Sequence, residues 1–173
     1  MKYFIDGNVD IVESKLYTRT TFEGLLEWLR DKTELALDTE TEGFFNHSNK
    51  IVMLQLSDGI DSYIIDTRGN NYVKRLKGVI EDKLILGQNL KFDYKFLKAE
   101  GIVLRNIYDT FLAECILTNG LKDRQLGLGY ISEKYTGEGL DKSVRNQFIN
   151  LNGQPFTEKQ IAYGAGDVEK LFI

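Results

Sequence analysis

One cysteine, one histidine and one proline occur among 173 residues. The lone Cys115 forms no internal disulfide, and inside the apolar run FLAECIL it is expected as a small buried residue. With His47 as the only histidine, an ordinary structural zinc site is excluded, and Ser-His-Asp or Cys-His catalysis has little to draw on. No apolar run approaches the roughly 18 residues that a membrane-spanning helix requires. The N-terminus, MKYFIDGNVD, carries Asp6 where a signal peptide has its apolar core, so a cytoplasmic location is the expectation. A net charge of −4 argues against a protein that grips duplex nucleic acid mainly through a basic surface. It leaves nucleic-acid chemistry open, because a metal-binding acidic cluster moves the balance the same way. Any chemistry must rest on carboxylates, tyrosines, lysines or backbone.

What is present is the balance of a globular domain, 42% hydrophobic and 28% charged residues. With no repeat, low-complexity tract or linker, residues 1–173 read as one domain. YFI and KLYTR suggest short N-terminal strands. Thr20-x-x-Glu23 reads as a capping box, followed by Phe22, Leu25, Leu26 and Leu29 at helical spacing. LALDTETEG (35–43), IVMLQLSDG (51–59) and SYIID (62–66) read as three strands, with Asp58-Gly59 in the turn between the last two. A helix is expected over 71–81. LILGQ (84–88) has the unalternating apolar run of an inner strand, and Asn89 is placed to cap the next helix. A helix over about 108–118 follows, then short helices and loops through 153. Thr157-x-x-Gln160 is a second capping box, opening a helix with Ile161, Ala165, Val168, Leu171 and Phe172 on its apolar face. The chain is expected to stop inside that helix, as a fragment of a longer polypeptide. Antiparallel strands first, then helices alternating with strands, give an α/β fold with a mixed sheet between helices.

The chemistry-bearing residues are acidic. On a strand, Asp38 and Glu40 project from the same face and repel each other, a conflict that a divalent cation relieves. The same pair also describes a solvated acidic turn. Asp93 lies in the first turn of a helix that follows an inner strand, where ligands of α/β sheets gather; complementing the helix dipole is the plainer account. Tyr163 and Asp167, at i and i+4, share a helix face. Gly164 and Gly166 between them cost about 1 kcal/mol each relative to alanine. Close approach to another element or to a substrate would compensate.

The order of these pieces is more specific than any one of them. A strand Asp-x-Glu (Asp38, Glu40), a strand–helix Asn-x-x-x-Asp (Asn89, Asp93) and a helical Tyr-x-x-x-Asp (Tyr163, Asp167) resemble the DEDDy 3′→5′ exonucleases over nearly the whole chain. The likeness is strongest to the proofreading exonuclease domain of family A, polymerase I-like DNA polymerases. YDTFLAECIL (108–117), with Asp109, looks like that family's helix. LDKSVRNQF (140–148) and PFTEKQIAYGAGDVEKLF are similar to a segment of ribonuclease D and Werner-type exonucleases. Phe148 stands where many relatives have tryptophan, and Gly164 and Gly166 where alanine is usual. The superfamily's histidine branch is unavailable, since His47 lies far upstream.

The resemblance implies a ribonuclease H-like three-layer fold and two divalent cations, Mg²⁺ or Mn²⁺, held by Asp38, Glu40, Asp93 and Asp167. Tyr163 would orient the attacking water. Thr41 would offer its backbone N–H to the terminal nucleotide, Phe44 or Phe45 would stack on its base, and Gln88 and Asn89 would face the substrate. Lys142 and Arg145 would contact phosphates, whereas Lys91, Lys95 and Lys98 belong to a solvated helix face. The implied partner is the 3′ end of single-stranded nucleic acid, DNA favoured over RNA, with a polymerase domain in cis or in trans. The alternatives are a ribonuclease D-like exoribonuclease and an inactive nucleic-acid-binding domain; inactive versions typically lose an acidic group, and here all four carboxylates and Tyr163 are present.

Overall fold

Strand β3 (Glu34–Thr41) is an inner strand of the sheet and shows how the sequence divides its two faces. Leu35 and Leu37 pack with the helical layer on one side, while Ala36 faces Val168 and Leu171 near the C-terminus on the other. Asp38 and Glu40 continue the second set. The structure, a computed structural model, describes residues 1–6, 14–140, 144–149, 151 and 153–172.

β3 pairs antiparallel with β4 (Ile51–Ser57), which pairs antiparallel with β5 (Ser62–Asp66). On the other side β3 pairs parallel with β6 (Leu84–Gly87), and β6 with β7 (Asn106–Asp109). The N-terminal β1 (Lys2–Ile5) lies parallel to β5, and the two-residue β2 (Thr18–Arg19) edges it. The seven-stranded sheet runs β2-β1-β5-β4-β3-β6-β7. Its first layer holds α1 (Phe22–Leu29), the short α2 (Tyr72–Arg75) and α3 (Lys91–Ala99). Phe22, Leu25, Leu29, Phe96 and Leu97 bury their side chains there against Leu37, Leu54, Ile65 and Ile85. The second layer is dominated by α6 (Glu158–Glu169), whose Ile161 and Ala165 join Phe4, Met53 and Ile64. α4 (Thr110–Leu117) and α5 (Leu128–Thr136) cover the β7 end. This is the mixed, helix-flanked α/β sheet expected.

Several local expectations shift. The cap of α1 is Thr21, whose side chain accepts from the Gly24 N–H; Thr20 lies one residue too early. α2 spans one turn instead of 71–81, because Gly78 adopts φ +74° and breaks the helix that the apolar spacing suggests. Asn89 does not cap α3: it is left-handed, φ 55°, and the cap position falls to Leu90 without a side-chain bond. Residues 106–109 are strand, so α4 begins at Thr110 and not near 108; Asp109 caps it by accepting from the Phe111 N–H. Cys115 is half-buried, since α4 leaves much of its surface open, with Ile116 and Leu117 exposed. The Thr157–Gln160 capping box of α6 is present in full. Its helix closes at Glu169, where the Lys170 N–H returns to the Gly166 and Val168 carbonyls, so the described chain runs past the helix end.

Candidate active site

Two elements meet at the site. Asp38 and Glu40 leave β3 toward the α6 layer, and Asp167 comes down from α6. One carboxylate oxygen from each lies within 4.8 Å of the other two. Three like charges this close, two half-buried and one buried, repel strongly in a partly dry setting. An all-oxygen set at this spacing is what a hard divalent cation binds. The donors therefore fit the divalent metal expected here.

The helix reaches that depth because Gly164 has no side chain. A Cβ there would sit 2.8 Å from Gln55 Nε2 and 3.0 Å from Met53 Sδ, so α6 lies almost directly on β4. Close approach thus accounts for the first helical glycine. It does not account for the second: a Cβ on Gly166 would meet only Leu140 Cδ2, at 4.0 Å.

Tyr163, one turn before Asp167, hydrogen-bonds that carboxylate with its hydroxyl. Burial, then the charges of Asp167, Glu40 and Asp38, push the hydroxyl well above its ordinary range. It stays protonated at neutral pH and serves as a donor, not as a base. Its ring stands 6.1 Å from that of the buried Phe148.

Asp93 differs from the other three carboxylates and is not part of their cluster. It approaches from the α3 side of β3, where Thr39 points. Its Oδ1 accepts from the Thr39 N–H at 3.0 Å and the Thr39 hydroxyl at 2.6 Å. Burial raises its carboxyl to about 6, against the lowering effect of those bonds. All four carboxylates nevertheless line one cavity of about 450 Å³.

Apolar side chains, among them Phe44, Phe92, Phe111 and Leu128, form much of the rest of that cavity. Phe44 is 72% exposed and meets Phe92 edge-on at 6.5 Å. Phe45, its neighbour, falls outside the lining. Thr41 lines it too and is buried, with its hydroxyl donating to the Gly43 carbonyl at 2.7 Å. Gln88 reaches the cavity but is engaged: its Nε2 donates to the Leu126 carbonyl at 2.6 Å and its Oε1 accepts from Thr110. Asn89 lines the wall from its left-handed turn. Lys142 and the Arg145 side chain lie outside the described residues; Arg145 begins a short 3₁₀ helix, Arg145–Phe148. Lys91, Lys95 and Lys98 are exposed on α3, as expected. Among the described residues, no lysine or arginine lines the cavity.

Two contributors were not singled out from spacing. Thr39 looks like filler between two acids, yet it fixes Asp93. Asp109 accepts from three backbone N–H groups, those of Asn89, Leu90 and Phe111, and so holds the start of α3. Thr39 carries no signal in the sequence, and Asp109 was marked only by the resemblance of its helix, because the groups each one binds are brought to it by the fold.

Residues 14–173 match the family model described as 3′-5′ exonuclease. DNA polymerase I of Aquifex aeolicus is 31% identical over 149 residues, covering 84% of this chain and 24% of the relative. Escherichia coli ribonuclease D is 29% identical over 160 residues, covering 87% of this chain and 40% of its own. The chain thus spans about a quarter of that polymerase and 18% of the Borreliella burgdorferi one. Among solved structures, E. coli ribonuclease D superimposes with a TM-score of 0.69 at 26% identity, over 87% of this chain and 40% of that one. The Aedes aegypti Nibbler EXO domain gives 0.71 at 22% identity, over 87% and 79% respectively, which bears on the fold alone. With the family model matched over nearly the full length, this chain belongs to the 3′-5′ exonuclease family, a family of hydrolases.

Proposed function

We propose that this site removes nucleotides from the 3′ end of single-stranded DNA, releasing 5′-mononucleotides, with two divalent cations, Mg²⁺ or Mn²⁺, bound by Asp38, Glu40, Asp93 and Asp167. The observation that carries the reading is the convergence of Asp38, Glu40 and Asp167 beside the Tyr163 hydroxyl. Bound cations supply an acidified water and charge stabilisation for the phosphorane and the leaving 3′ oxygen. The chain's own residues do the rest. Tyr163, kept protonated and giving its hydroxyl proton to Asp167, accepts from the attacking water and so fixes its direction. Asp93, held by Thr39, keeps one carboxylate oriented at the cavity's far wall. Phe44 and Phe92 offer apolar surface to the terminal base, a contact blind to base identity.

DNA as substrate, and a proofreading role beside a polymerase domain, are supported by the DNA polymerase I relatives of three bacteria. The ribonuclease D likeness supports RNA as the second reading. End-labelled single-stranded DNA and RNA oligonucleotides of one sequence, incubated with Mn²⁺, separate the two. A ladder shortening from the 3′ end, faster on DNA, is expected. RNA cut faster would move the assignment to the second reading, and no product from either would remove it.

A further inference from the structure

The connection between β3 and β4 spends two large apolar side chains on solvent: Phe44 is 72% exposed and Phe45 62%. Exposed phenyl groups gain nothing from water, and a flexible loop would fold them away. This loop is held instead. The Ser48 and Asn49 N–H groups both donate to the Phe45 carbonyl, and the Asn49 side chain accepts from the Phe45 N–H at 3.2 Å. At its base the Glu42 N–H bonds the Lys50 carbonyl, and Lys50 returns its N–H to the Glu42 carboxylate. Asn46 ties the tip to α3 by donating to the Lys95 carbonyl at 3.3 Å. The rings are therefore presented, not merely left outside.

They also diverge. Phe44 turns to Phe92 and the catalytic cavity, while Phe45 turns to the exposed His47, ring centroids 5.8 Å apart. At the base of the same hairpin lies a second cleft, of about 470 Å³, lined by Lys50 and Lys74 with the Glu42 and Glu100 carboxylates. The hairpin thus forms a ridge with an aromatic pair exposed at its tip, Phe44 in the carboxylate cavity and Lys50, at its base, in the second cleft.

Resting on the nuclease reading of the cavity, we propose that this ridge is a track for the single strand 5′ of the nucleotides inside the cavity, with Phe45 and His47 stacking a base and Lys50 meeting a backbone phosphate. The aromatic crest suits unpaired bases of any sequence, and Lys50 adds the positive charge that the described cavity residues lack.

The test pairs a binding assay with a turnover assay on the full chain. Binding of a fluorescent octadeoxynucleotide is followed by anisotropy in EDTA, and hydrolysis of a dinucleotide is followed with Mn²⁺. Phe45→Ala is expected to weaken octamer binding at least about fivefold, and Phe45→Trp to restore it. The Phe45→Ala penalty on dinucleotide KM should be far smaller than on the octamer. Lys50→Ala should reduce the salt dependence of octamer binding by a slope of about 0.7. Octamer binding unaltered by Phe45→Ala, or an equal penalty on dinucleotide and octamer, would overturn the track while leaving the cavity's assignment intact. Octamer binding that depends on Phe45 in a protein hydrolysing no oligonucleotide would remove the nuclease reading and keep the track. The melting temperature of each variant separates these outcomes from misfolding.

Discussion

Replacing Asp93 by asparagine removes a buried charge while keeping its shape and its acceptor oxygen. The wild-type carboxyl titrates at about 6 in the fold, against an ordinary 3.8. That rise corresponds to about 3 kcal/mol of disfavour for the charged form at neutral pH. The amide oxygen of the Asp93→Asn variant would still accept from the Thr39 N–H and hydroxyl. Burying the new amide NH₂ would offset part of the gain, about 1–2 kcal/mol, leaving the metal-free variant more stable by about 1–2 kcal/mol. For a domain of this size that is a rise in Tm of roughly 2–6 °C. The sign fixes the pH window. Below about pH 4 the wild-type carboxyl is protonated in both folded and unfolded chains, so the variant gains nothing. As pH climbs through about 6 the wild-type protein accumulates the penalty, and the gap is complete near neutrality. Thermal unfolding in EDTA from pH 4 to 8 measures it. Adding Mn²⁺ should then raise the wild-type Tm more than the variant's, because the lost carboxylate lowers metal affinity. A variant less stable than wild type in EDTA at pH 7, or a gap that ignores pH, would refute the account of Asp93 as a desolvated charge.

Asp38→Ala should lower nucleotide release by on the order of 10²-fold or more with the fold retained, and EDTA should silence the wild-type enzyme until Mg²⁺ or Mn²⁺ is returned; product-release assays read both. Tyr163→Phe should cut kcat by on the order of 10²-fold with KM little altered, and a change confined to KM would contradict the orienting role. Gly164→Ala should destabilise, since its methyl would meet Gln55 and Met53, whereas Gly166→Ala should stabilise by about 1 kcal/mol. Urea unfolding compares the two, and equal effects would contradict the close approach at Gly164.

What the sequence made legible were relations within single elements. The two-residue period of β3 put Asp38 and Glu40 on one face, the four-residue spacing of α6 put Tyr163 with Asp167, and the Thr157–Gln160 box marked where α6 starts. Relations between elements were not legible. Nothing in the spacing shows that Asp93 would meet β3 from the opposite side and bind Thr39, because that depends on where α3 crosses the sheet. The four-residue β7 is largely exposed and shows no alternation, so nothing in it marks a strand, and its last two residues read as the start of the following helix. Val73, Leu76 and Ile80 do lie at helical spacing and are buried, but Gly78 in the left-handed region breaks the helix between them. Adjacent Phe44 and Phe45 are indistinguishable by type, and only the hairpin's backbone decides which one faces the cavity.

Asp109 gives the architecture a shared anchor point. One carboxylate secures the amides of Asn89 and Leu90 at the head of α3 and that of Phe111 in the first turn of α4. The helix bearing Asp93 and the helix contributing Phe111 to the cavity therefore register against each other through a single side chain. Displacement there would travel to both walls at once, so damage to cation affinity and damage to base stacking should arrive together at this position, however cleanly they separate elsewhere.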